Sequence, residues 1–161
     1  MTWKNDAHGL VFKSSELKLY RPTHTWGMKL SQLHRQQATV RIVTFRLPGS
    51  ATYDDYYETQ IARRPSDMLV LIGTGGRPEE LMKARELKDR FPEVRIAVHS
   101  ELHVKAVAIG PKTLYVGLAN FGSSSWADLT LGVRSIGAHD YFVGNIFDPL
   151  WREATEVAKP L

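Results

Sequence analysis

Apolar and polar positions along this chain follow two rhythms, one of period two and one near 3.6, which predicts strands and helices in turn. Positions 9–13 and Glu16–Tyr20 read as short strands separated by Ser14-Ser15. Trp26, Leu30 and Leu33 recur at helical spacing, so an amphipathic helix is expected over about 25–37. Residues 39–47 (TVRIVTFRL) are rich in β-branched side chains and alternate, giving a strand ended by Pro48-Gly49. A helix over about 51–63 follows. Asp67–Gly73 (DMLVLIG) is a continuous apolar run of the kind carried by a parallel strand buried on both faces. Pro78 opens a helix containing Leu81, Ala84, Leu87 and Lys88, closed by Pro92. Residues 94–98 form another strand, two apolar segments joined at Gly110-Pro111 form a hairpin, and 129–134 form a further strand. A C-terminal helix over 145–158 should turn Ile146, Leu150 and Val157 inward. The alternation of strands and helices argues an α/β layered domain spanning residues 1–161, with no internal repeat and no linker.

The hairpin carries the candidate chemistry. Its sequence, HVKAVAIGPKTLYVGLANFG, begins at His103. In extended backbone His103, Lys105, Val107 and Ile109 share one face, and Leu102, Val104 and Ala106 share the other. An imidazole and an ammonium on one face of a buried strand are costly unless they are paired or do chemistry.

Over eighteen residues this run resembles the H-x-K-(x)4-D-(x)6-G-(x)2-N signature of the phospholipase D superfamily. His103, Lys105, Gly117 and Asn120 match in register. Gly110 stands where the signature has aspartate, and Leu118 where a serine usually follows the glycine. Asp128, before the apolar run Leu129-Thr130-Leu131-Gly132-Val133, resembles the acidic residue that follows the motif, at a spacing a few residues shorter. The resemblance implies a phospholipase D-like α/β fold, a mixed central β-sheet flanked by helices on both faces. Such folds commonly hold two signature copies. This chain has one, so the resemblance implies a homodimer in which two copies face each other across a two-fold axis.

The implied reaction is metal-independent cleavage of a phosphodiester through a phosphohistidine, with no cofactor. A near-neutral imidazole can attack phosphorus, and a second, protonated one can supply the leaving group's proton. His103 would be the nucleophile in one copy and the acid in the other. Lys105 would supply positive charge, Asn120 would donate amide hydrogens to a phosphoryl oxygen, and Asp128 would orient an imidazole. Ser123 and Ser124, directly after Asn120, are candidates for contacting a phosphate, and Glu101 and His99 for lining the entrance. The His99 and His103 spacing suits a zinc site only on a helix, and the segment reads as strand, so no metal site is expected. The loop Gly73-Thr74-Gly75-Gly76-Arg77-Pro78 joins a buried strand to a helix, but it fits neither dinucleotide- nor nucleotide-binding glycine motifs and reads as a plain connection. Tyr53, Tyr56 and Tyr57 with Arg63 and Arg64 read as core or interface more than as a nucleic-acid face.

Composition narrows the partner. The 161 residues are 43% hydrophobic with a net charge of +4, enough for a core and tilted towards polyanions. There is no cysteine, hence no disulfide and no thiolate metal site, which suits a cytoplasmic location. The opening MTWKNDAHGLVFK lacks the pattern of a signal peptide, and no window resembles a membrane span. The expectation is therefore a nuclease-like phosphodiester hydrolase whose partner is nucleic acid, DNA foremost, and not a membrane. The alternatives are a degenerate phospholipase D-like module that binds nucleic acid or protein without cleaving, and a phosphodiesterase of small or phosphatidyl substrates.

Overall fold

The computed structural model describes residues 4–7, 9–20, 39–47, 67–117 and 129–158. In chain order these contain β1 (Glu16–Tyr20), β2 (Thr39–Thr44), β3 (Asp67–Gly73), α1 (Pro78–Arg90), β4 (Arg95–His99), β5 (Ala106–Ile109), β6 (Thr113–Gly117) and β7 (Thr130–Arg134). Helix α2 (Ile136–Phe142), a π-helical turn (Val143–Phe147), α3 (Asp148–Glu153) and β8 (Thr155–Glu156) complete the chain. The strands form one mixed sheet in the order β1-β7-β6-β5-β2-β3-β4-β8. β2, β3 and β4 run parallel. β5, β6, β7 and β1 are joined to β2 in an antiparallel series, and β8 adds antiparallel to β4.

Both faces of the sheet are covered by helix. On one, Ala84 and Leu87 of α1 meet Val40, Ile42, Val70, Ile72, Ile96, Val107 and Ile109. On the other, Phe142, Phe147 and Leu150 meet Val43, Leu71, Ala97, Ala106 and Ala108. This is why the central strands read as unbroken apolar runs: successive side chains feed opposite cores. Lys88 lies within this packing, 3% exposed, because its ammonium donates to the carbonyls of Pro92 and Val94 at 2.8 and 2.7 Å.

Several expectations are corrected. Residues 9–13 are not a strand; the Gly9 amide donates to Asp6 Oδ1 and the Val11 amide to Asn5 Oδ1, so side chains take the donors a ladder would need. The C-terminal helical stretch begins earlier, at Ile136, where Ser135 accepts from the Ala138 amide as an N-cap. It also ends earlier: Ala154 is extended, and Thr155–Glu156 is a strand on β4. Val157 still packs inward, its amide donating to Ile96 O at 2.8 Å, but not from a helix. The helices expected over 25–37 and 51–63, with Tyr53, Tyr56, Tyr57, Arg63 and Arg64, lie outside the described residues. No helix of the described residues is long and apolar enough to cross a membrane.

Candidate active site at one end of the sheet

The strand directions gather the signature at one end of the sheet. β2, β3 and β4 finish there, at Thr44, Gly73 and His99. β5 starts there and β6 returns to it at Gly117, while β7 departs from it at Thr130. The carboxyl ends of parallel strands are the usual place for a ligand site, since loops can converge there without breaking the ladder. Asn120, Ser123, Ser124 and Asp128 belong to the stretch between β6 and β7 but lie outside the described residues. Gly110 lies at the opposite end of β5 from Lys105.

His103 and Lys105 precede β5 rather than belonging to it. The alternation holds all the same: Leu102 and Val104 pack with Ala106 and Ala108 on one core, and Val107 and Ile109 on the other. His103 is exposed and Lys105 half-buried, so the imidazole is accessible and the desolvation cost foreseen for a buried strand does not arise.

Both groups collect around Phe45, the first residue after β2. The imidazole and phenyl centroids are 4.6 Å apart with the rings tilted by 54°, a favourable aromatic geometry. Lys105 Nζ lies 5.9 Å from the same phenyl centroid, and the guanidinium carbons of Arg77 and Arg46 lie 4.8 and 5.2 Å from it. Three distant stretches of chain thus meet on one ring. Gly73 permits the approach, because a Cβ there would lie 2.6 Å from the Leu102 carbonyl oxygen. Thr74 to Arg77 then forms a tight turn closed by the Arg77 amide on Thr74 O at 2.9 Å, with Gly75 and Gly76 at φ of 54° and 71°.

His99 and Glu101 are placed differently from His103 and Lys105. The Glu101 amide donates to His99 Nδ1 at 3.0 Å, which leaves the ring proton on Nε2, facing Glu153 Oε2 of α3 at 3.5 Å. His99 is therefore occupied at the strand end, and its backbone carbonyl receives the Thr74 amide at 2.9 Å. Glu101 is exposed. Phe45 and Arg46 were not singled out in the sequence, and Arg77 only as part of a plain loop. Phe45 and Arg46 fall inside the strand expected over 39–47, which ends at Thr44, and their signal, with that of Arg77, is position beyond the carboxyl ends of β2 and β3.

The fold is phospholipase D-like. No family model matches the chain, and no curated protein matches it in sequence. Among solved structures it is similar to Nuc from Salmonella typhimurium, a phospholipase D family member, with a TM-score of 0.71 at 10% identity over 91% of this chain and 100% of that one. It is similar also to NucT from Helicobacter pylori, with a TM-score of 0.65 at 12% identity over 89% of this chain and 100% of that one. TrmBL2, an archaeal chromatin protein described as showing a novel mode of DNA binding, superposes with a TM-score of 0.60 at 11% identity over 88% of this chain and 54% of its own.

Proposed function

We propose that this protein is a metal-independent phosphodiesterase that cleaves nucleic acid, DNA foremost, at a site completed by a second copy of itself. The observation that carries this reading is the accessible His103 imidazole sharing the Phe45 ring with Lys105, Arg46 and Arg77. A nucleophile ringed by cations suits an anionic electrophile. The fold shared with a phospholipase D family member and with a DNA-binding chromatin protein supports the same choice.

In the proposed reaction the lone pair of one His103 attacks phosphorus while the bond to the leaving oxygen breaks. The protonated His103 of the second copy gives that oxygen its proton. Water then attacks the phosphohistidine, returning its proton to the second imidazole as the phosphorus–nitrogen bond breaks. Lys105 and Asn120 of each copy stabilise the phosphoryl oxygens, and Asp128 orients an imidazole. No step calls on a divalent cation.

The test is cleavage of plasmid and single-stranded DNA in EDTA by the wild type and by His103→Ala. The wild type should cut and the variant should lose about 10³-fold or more, the scale of losing a nucleophile. Light scattering should give twice the 18.2 kDa chain mass. DNA binding without turnover would replace this reading with that of a non-cleaving module, and a strict monomer that still cuts would remove the two-histidine scheme.

A further inference from the structure

Arg77 carries a guanidinium that the surrounding protein uses only in part. Its Nε donates to Thr74 O at 2.9 Å, and its Nη1 stands 4.0 Å from Glu80 Oε1. That carboxylate is already committed: Oε1 accepts from Lys83 Nζ at 2.9 Å and Oε2 from the Leu47 amide at 3.1 Å. Nη2 of Arg77 is buried and meets no acceptor among the described residues. Lys105 Nζ likewise has no ion-pair partner among them. A guanidinium offers five donors in a planar fork matched to carboxylate and phosphate, and one left unpaired in a buried position is costly. Here the fork is held in place by Thr74 and by the Phe45 ring, on which the His103 imidazole also rests. The guanidinium carbon of Arg77 can lie no farther from the centre of that imidazole than the sum of their distances to the shared ring, 4.8 and 4.6 Å.

The phosphoryl group under attack is already served, in the reading above, by Lys105 and Asn120 from each of two copies. Its two non-bridging oxygens thus already receive four donors, two of them cationic. We infer that Arg77 binds the phosphate adjoining the one under attack, so that the site takes a nucleic-acid strand in preference to a small diester. This rests on the phosphodiesterase reading and narrows its substrate class.

The test compares wild type, Arg77→Gln and Arg77→Lys on a single-stranded oligonucleotide and on bis(p-nitrophenyl) phosphate. Binding of a fluorescein-labelled oligonucleotide is followed alongside, across a range of salt, in a His103→Ala background. Arg77→Gln should weaken oligonucleotide binding and raise its KM by about tenfold to a hundredfold, as expected for one charge-assisted hydrogen bond. Its loss on the oligonucleotide should exceed its loss on the small diester at least tenfold. The slope of log affinity against log salt should fall by about 0.7 for each phosphate contact removed. Arg77→Lys keeps the charge and should keep the wild-type slope, which separates a lost contact from a damaged fold. Equal losses on both substrates, or an unchanged slope in Arg77→Gln, would overturn the assignment. So would a slope in Arg77→Lys reduced as far as that of Gln. If the wild type cleaves neither substrate, the phosphodiesterase reading fails, and oligonucleotide binding with its salt slope still decides the role of Arg77.

Discussion

The amide of Gly117 donates to the carbonyl of Lys105 at 3.3 Å, so two signature positions far apart in sequence are neighbours across the start of the β5–β6 hairpin. A Cβ at Gly117 would lie 2.5 Å from the backbone oxygen of Leu129 and 3.0 Å from Thr130 Oγ1. The glycine is therefore required by the close passage of β7, independently of any chemistry.

Gly117→Ala is accordingly expected to destabilise the protein by about 1–3 kcal/mol, the range for forcing atoms into a packed site. That corresponds to a thermal midpoint lower by about 2–4 °C per kcal/mol for a chain of this size. A midpoint within a degree of wild type would show that β7 yields without cost.

Gly110 bears on the missing signature aspartate. A Cβ there would meet Thr39 Oγ1 at 2.5 Å, and His139 Nε2, buried and without a partner among the described residues, at 3.7 Å. Gly110→Asp should cost about 1–3 kcal/mol, and Thr39→Ala in the same chain should recover most of it. Lys105 lies five residues back along the strand, about 16 Å at strand rise, so the specific activity of folded Gly110→Asp should match wild type. Denaturant melts of the single and double variants, with activity normalised to folded protein, decide both points.

Phe45 organises the cationic cluster. Phe45→Leu keeps an apolar filler and should change stability by only about 1 kcal/mol. It removes the surface on which His103, Lys105, Arg46 and Arg77 are held, so DNA cleavage should fall about tenfold or more. Full activity at unchanged stability would show that the ring does not align these groups.

A pH effect is expected at the other sheet margin. Arg95 Nε and Nη2 donate to Glu156 Oε1 and Oε2 at 2.8 and 2.9 Å, and this pairing holds the Glu156 carboxyl below its usual range. A carboxyl lowered in the folded state stabilises above its unfolded value, about 4.3, and loses that contribution as pH falls through the folded value. Both side chains are about half exposed, so the contribution is below about 1 kcal/mol. The midpoint difference between wild type and Glu156→Gln should be present at pH 7 and shrink as pH falls below the unfolded value, about 4.3. A difference independent of pH would show that the pairing is not its source.

Much of the sheet was legible: burial on both faces writes an unbroken apolar run at Asp67–Gly73, and the exposed edge strand Glu16–Tyr20 alternates. Asp67–Gly73 and Glu16–Tyr20 match the observed strands, and the helix from Pro78 begins where proline and the acidic first turn place it. Positions 9–13 misled because periodicity carries no information on Asn5 and Asp6 capturing the amides. At the C-terminus the helical stretch starts at the Ser135 cap, ahead of the apolar spacing over 145–158. Within that helical stretch, the missing amide of Pro149 coincides with a π-helical turn rather than a clean helix start. The histidine and lysine of the candidate site stand out in the sequence by their spacing. The ring that joins them does not, because Phe45 and Arg77 meet His103 only after separate strands have been laid side by side.

Joining residues 45, 77 and 103 on a single phenyl ring also has a kinetic meaning. Such long-range closures come late, once loop entropy has been overcome by neighbouring strand pairing. A chain still emerging or partly unravelled holds the separate cations but not their shared seat. The shared seat arrives only with the finished sheet, so whatever chemistry depends on the cluster is tied to completed folding.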